Sequence, residues 1–198
     1  MARYPKDHRQ QTRERIVQAA TEAFKTEGID GVGIARVMGR AGLTHGGFYA
    51  HFQNKDDLVS AVLSGTPASS MHARVQHARE AGDGLDGVAR GYLSRAHRDH
   101  PESGCVLPSL SGELARQPEA VRSALNVSLE AMLAELAGLS TAPDDAGRRA
   151  DALSTLAGMV GAVALSRAVS DPSLSDEILK ATRDTLTRRA APPAPDVP

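Results

Sequence analysis

The stretch AGLTHGGFYAHFQNKDDL, Ala41 to Leu58, decides how this chain reads. It places two adjacent glycines, Gly46 and Gly47, in a segment of otherwise helical character, then Phe48-Tyr49-x-His51-Phe52, then Asn54-Lys55. A glycine inside a helix costs about 1 kcal/mol relative to alanine. A segment built only for stability would avoid two in a row, so something must need the backbone bare there.

Upstream, Ile16, Ala20, Ala23 and Phe24 recur at helical spacing between Arg9 and Glu27, and Gly28 is a stop signal. Residues 1–8 read as a loose arm. Ile34, Val37, Met38 and Ala41 fall at i, i+3, i+4 and i+7 and predict a second, short helix broken by Gly42. Thr44 is an N-cap residue for a third helix running to about Phe52. Asn54 caps a fourth, with Asp56 and Asp57 in its first turn; it buries Leu58, Ala61 and Val62 and ends near Ser64–Pro67.

Helix, tight turn at Gly42 and helix make a helix-turn-helix, whose second helix can enter the DNA major groove. Gly46 and Gly47 then let the backbone approach bases and phosphates closely. Phe48 and Phe52, with Leu43, pin the recognition segment to its scaffold. Thr44 and His45 are placed for base edges, and Tyr49, His51 and Lys55 for phosphates.

The 198-residue chain is 41% hydrophobic and only 3% aromatic, which suits close-packed helices better than sheets. No run approaches the roughly 18 apolar residues of a membrane span. The first residues lack the apolar core of a secretory signal, and a single cysteine excludes an internal disulfide framework. The expectation is a cytoplasmic protein without a membrane partner. Residues 1–64 carry a net charge of +2 and residues 65–198 a net charge of −3, a mild asymmetry whose sign fits an N-terminal unit that meets an anion. Near-neutral charge speaks against unspecific DNA coating, which rests on many phosphate contacts. No phosphate loop, HExxH or G-x-S-x-G motif occurs, so no enzyme, cofactor or metal is expected. His97, Asp99, His100 and Glu102 read as polar residues entering a loop.

The quoted stretch resembles the signature of TetR-family transcriptional regulators, A-G-[VL]-[ST]-x-G-x-[LF]-Y-x-[HY]-F-x-[SN]-K-x-x-L. Ala41, Gly42, Leu43, Thr44, Gly46, Phe48, Tyr49, His51, Phe52, Asn54, Lys55 and Leu58 all match it. The likeness reaches back through residues 13–31 and covers about residues 10–64. By resemblance, Thr44, His45, Gly46, Gly47, Tyr49, His51 and Lys55 fall where the family contacts DNA, and Arg13 can approach a phosphate. One departure is Val32-Gly33, where the family usually has a Ser/Thr pair; one hydroxyl cap is missing, though glycine is a tolerable cap.

The resemblance implies an all-α chain: an N-terminal three-helix helix-turn-helix DNA-binding domain (1–64), a C-terminal helical effector-binding and dimerisation domain (65–190), and a disordered tail (191–198). Ser64–Ser70 reads as the junction. Stripes at Val121, Leu125, Leu129, Met132, Leu133 and Leu136, and at Leu153, Leu156, Val160, Val163 and Ala164, mark two long helices. A homodimer through the helices around 118–139 and 147–170 is expected, binding near-palindromic operator DNA as a repressor and released by a small-molecule effector. Tyr92, Cys105, Leu107, Leu110 and Met132 are the candidate effector-pocket residues. Gly104-Cys105-Val106-Leu107 resembles a segment of one TetR subset. Pro108 belongs in a first helical turn, which puts Cys105 near a helix N-terminus. A redox- or electrophile-sensing thiol at Cys105 is therefore the alternative; a small buried hydrophobe is the plainer reading.

Overall fold

A computed structural model of the chain describes residues 4–190, and within them every regular element is helical. The helices are α1 (Tyr4–Glu27), α2 (Ile34–Arg40), α3 (Lys55–Glu80), α4 (Leu85–Tyr92), α5 (Arg95–Asp99), α6 (Leu107–Leu114), α7 (Glu119–Ala137), α8 (Asp145–Ala168) and α9 (Pro172–Ala190). A 3-10 segment spans His45–Ala50, and a single 3-10 turn spans Pro101–Ser103. Among the described residues no helix is long and apolar enough to cross a membrane.

The chain forms two compact units. One comprises the residues up to Ala68 together with Pro101–Leu129; the other comprises Ser69–His100 and the residues from Glu130 onward. In the first, Ile16, Ala20 and Phe24 of α1 are buried, as are Val37 and Met38 of α2, Phe48, Phe52, and Leu58 and Val62 of α3. These are the positions that helical spacing marks in the sequence. In the second, Val88 and Tyr92 of α4, Met132 and Leu136 of α7, Leu156, Met159 and Val163 of α8, and Leu179 of α9 are buried.

Three boundaries differ from expectation. α1 starts at Tyr4 rather than Arg9, so residues 4–8 are not a loose arm. The helix expected to end near Ser64–Pro67 continues to Glu80. Met71, Val75 and Ala78 extend the buried face begun by Leu58 and Val62, and that packing outweighs the weak local propensity of the small-residue stretch. The expected third helix is instead a 3-10 segment ending at Ala50. Two consecutive glycines support a full α-helical turn poorly, and the bonds Gly47 N–H to Thr44 O (3.1 Å) and His51 N–H to Phe48 O (2.9 Å) close tighter turns. The tail at 191–198 lies outside the described residues.

Candidate nucleic-acid interface

The turn before the recognition segment is a Schellman motif. Leu43 N–H donates to Met38 O (2.9 Å) and Gly42 N–H to Gly39 O (3.0 Å). Gly42 has φ +68°, a conformation glycine adopts without strain, which explains the break seen in the sequence. Arg15 Nη2 reaches over from α1 and donates to Ala41 O (2.7 Å), satisfying a C-terminal carbonyl of α2. Arg9 Nη2 does the same for Ala50 O, at the end of the recognition segment (2.7 Å). Composition and periodicity single out neither arginine; their signal is only their place on the polar side of α1.

Phe48 and Phe52 stack with ring centroids 5.6 Å apart and are both buried. Arg13, expected to approach a phosphate, lies with its guanidinium 4.7 Å above the Phe52 ring. It is half-buried, so it both packs the segment and stays near the surface. Tyr49 meets Phe48 edge-on at 5.3 Å, yet 63% of it is exposed. His45 and Gly46 are exposed, and Gly47 and Lys55 are half-buried.

The glycine pair has no internal reason. A Cβ built on Gly46 meets nothing within 4 Å; one on Gly47 meets only Met38 Cε at 3.6 Å and Thr44 Oγ1 at 3.7 Å, ordinary contacts. Neither glycine is among those with positive φ. The fold would accept alanine at both positions, so the bare backbone points outward for another reason.

Thr44 occupies the N-cap position with extended backbone (φ −78°, ψ 148°), but its side chain makes no cap hydrogen bond. The expected capping role is corrected: the Gly47 amide donates to the Thr44 backbone carbonyl rather than to its side chain, and the Thr44 hydroxyl stays exposed. Asn54 does cap α3. Its Oδ1 accepts from Asp57 N–H (2.9 Å), and Asp57 Oδ2 accepts from Gln53 N–H (3.1 Å). This fixes Lys55 at the start of α3.

Gly33 is the N-cap of α2, with φ −83°, ψ 156° and no side-chain cap. A Cβ there meets nothing within 4 Å. Gly33→Ser is therefore expected to fit unstrained and to raise stability by a few tenths of a kcal/mol through the restored cap. It should also tighten operator binding a few-fold; chemical denaturation and fluorescence anisotropy check the two parts.

The Nδ1 atom of His51 is buried without a hydrogen-bond partner. Burial, and then the nearby charges of Arg9 and Arg13, hold its imidazole below the ordinary histidine value. The unfolded chain therefore takes up this proton first as pH falls below about 6.5. Stability present above that pH is lost on acidification through the folded-state value. Melting temperatures between pH 5 and 8 should fall less steeply for His51→Gln than for the wild type.

The candidate pocket residues are all buried. Cys105 (2% exposed), Leu107 and Leu110 belong to the first unit, and Tyr92 and Met132 to the second. His97, expected as a polar residue entering a loop, is buried, with Nδ1 2.8 Å from Tyr92 O. Among the described residues no group of three or more His, Cys, Asp and Glu side chains lies where it could hold a metal ion.

Two family models match the chain: one described as bacterial regulatory proteins, tetR family, over residues 16–62, and one described as tetracyclin repressor-like, C-terminal domain, over residues 81–182. The HTH-type transcriptional regulator TtgR of Pseudomonas putida is 36% identical over 88 residues, covering 44% of this chain and 40% of TtgR. The HTH-type transcriptional repressor NemR of Escherichia coli is 26% identical over 130 residues, 63% of this chain and 65% of NemR. The chain thus matches from two fifths to just under two thirds of the length of these curated relatives. The crystal structure of reduced E. coli NemR shares the fold, with a TM-score of 0.72 at 21% identity over 93% of this chain and 99% of that one.

Proposed function

The chain belongs to the TetR family of transcriptional regulators, and on that premise we propose that it is a dimeric, ligand-responsive repressor of near-palindromic operator DNA. The observation that carries this reading is the Gly46-Gly47 backbone, exposed at Gly46 and bare without internal cause at both, on a segment pinned by Phe48 and Phe52. Residues 1–64 supply DNA recognition. Thr44 and His45 read base edges; Gly46 and Gly47 admit the backbone; Tyr49, His51, Lys55 and Arg13 meet phosphates. The relatives are regulators, and no catalytic role is assigned to any residue.

Lys55→Gln should weaken binding about equally on all sequences and flatten the dependence of log K on log salt by about 0.9 for each phosphate no longer engaged. His45→Ala should instead relax preference among sequences. Anisotropy titrations on operator and scrambled duplexes at several salt concentrations separate the two. Equal, sequence-independent losses for both variants would contradict the assigned roles.

Residues 65–190 are assigned effector binding and dimerisation. Cys105, Leu107 and Leu110 within the first unit, and independently Tyr92 and Met132 within the second, are proposed to face apolar effector atoms, supported by their burial and mostly aliphatic character. For dimerisation, α8 from the expected pair of helices (around 118–139 and 147–170) is proposed to act together with α9. On α7 the one large hydrophobic residue that is exposed is Val127. On α8, Leu153, Ala157 and Leu165 are exposed and Val160, Gly161 and Ala164 half-exposed, all at helical spacing. Leu174, Ile178 and Ala181 give α9 a similar face. An α8/α9 surface packing on its two-fold copy fits that pattern.

The alternative is a thiol-based sensor acting through Cys105, favoured by the likeness to NemR, whose solved structure is of a reduced form. Burial of Cys105 supports packing over direct attack. Cys105→Ser should leave operator affinity and its loss on effector binding unchanged within about twofold, well under 1 kcal/mol. Abolished release in that variant would establish the sensor.

A further inference from the structure

The end of α1 is held at two points by the segment that runs from Pro101 through α6. Lys25 Nζ donates to Glu102 O (3.1 Å). Four residues on, the Glu113 carboxylate of α6 accepts from both Ile29 N–H (2.7 Å) and Asp30 N–H (3.1 Å) through the same oxygen, Oε2. Charge-assisted bonds of this kind are among the stronger ones in a protein. The turn is shaped to receive the carboxylate. Gly28 has φ +77°, and a Cβ there would lie 2.4 Å from Glu113 Oε1, closer than any real contact allows. Glycine at position 28 is favoured by its backbone, and any side chain there would push the Glu113 carboxylate off the turn. Ile29 plugs the core beside this latch, and Gly33, three residues beyond Asp30, is the N-cap of α2.

We propose that Glu113 is a positioning residue for DNA recognition: from α6 it fixes the turn at residues 28–30, and so the orientation of the helix-turn-helix that follows. The two grips bracket Cys105, Leu107 and Leu110. Displacement of that buried run by an effector loads one grip or both, which gives the effector response a route to α2 and the recognition segment. The proposal rests on the regulator reading given above and adds the residue through which the response passes.

The test uses the full chain with Glu113→Ala and Glu113→Gln. Glutamine keeps one acceptor oxygen for both amides. Hydrogen exchange at Ile29 and Asp30 reads the latch without DNA, and anisotropy reads affinity for the selected operator and for a random duplex at low salt. For Glu113→Ala the two amides are expected to exchange about tenfold faster or more, and operator affinity to fall about tenfold, as when charge-assisted bonds that orient a binding unit are removed. Affinity for random duplex should not change, and Glu113→Gln should stay within about twofold of wild type on operator. Operator affinity unaltered in Glu113→Ala overturns the proposal. So does loss of specific and random binding together with helix content, which would make Glu113 a support for folding alone. A wild-type chain that selects no operator overturns the regulator reading itself, and this proposal with it.

Discussion

Gly46→Leu is expected to abolish operator binding while leaving the fold intact. The position is exposed, its φ is not positive, and a Cβ there meets nothing within 4 Å. Leucine therefore enters without strain, and replacing glycine strengthens the local helical preference by several tenths of a kcal/mol. Thermal melts should match or slightly exceed the wild type. On DNA the same side chain holds the start of the recognition segment away from the groove. Several base and phosphate interactions then fail together, and a bidentate base contact alone is worth about 1–3 kcal/mol. The dissociation constant should rise by about a hundredfold or more. Paired circular-dichroism melts and anisotropy titrations check both halves. Wild-type affinity in Gly46→Leu would remove the main support for the assigned interface.

The second large effect is expected at Gly161→Glu. A Cβ at Gly161 also meets nothing within 4 Å of its own chain, and glutamate is a better helix former, so the monomer should fold as before. Gly161 lies among Leu153, Ala157, Val160, Ala164 and Leu165 on the outward side of α8. If two copies pack through that side, the substitution fills a close-approach point and sets a desolvated carboxylate from each copy against the interface. Like-charge juxtaposition of this kind costs several kcal/mol. The dimer dissociation constant should rise by more than about a hundredfold, and operator affinity should fall with it because half-sites no longer bind together. Sedimentation equilibrium across a concentration series reads the first effect. An unchanged dimer would place the interface elsewhere.

Most of the first unit was legible because its signals are local. Ile16, Ala20 and Phe24 mark one face of α1, Gly28 and Gly42 mark stops, and Asn54 with Asp57 marks a cap. The continuation of α3 to Glu80 was not legible: propensity near Gly65 favours a break, and only tertiary burial of Met71 and Val75 decides against it. By periodicity the stripe Leu153–Ala164 reads as one face. In the structure Leu156 and Val163 turn inward, whereas Leu153 is exposed and Val160 and Ala164 are half-exposed, a division that a helix hydrophobic on two sides hides from periodicity. Within the candidate interface, Gly46, Gly47, Tyr49 and Lys55 follow from their motif. Arg9, Arg15 and Glu113 do not, because each acts on backbone groups 26 to 84 residues away, a relation no local pattern carries.

Sequence-specific recognition by a symmetric pair of these segments can be measured without knowing the operator in advance. The purified chain is incubated with fragmented DNA from its own source at moderate salt, and what stays bound is recovered and sequenced. One near-palindromic site should be enriched, with half-site centres about one helical turn (34–36 Å) or a multiple of it apart. Folded, ligand-stripped protein that enriches no site, or retains all DNA alike, would refute recognition of this kind.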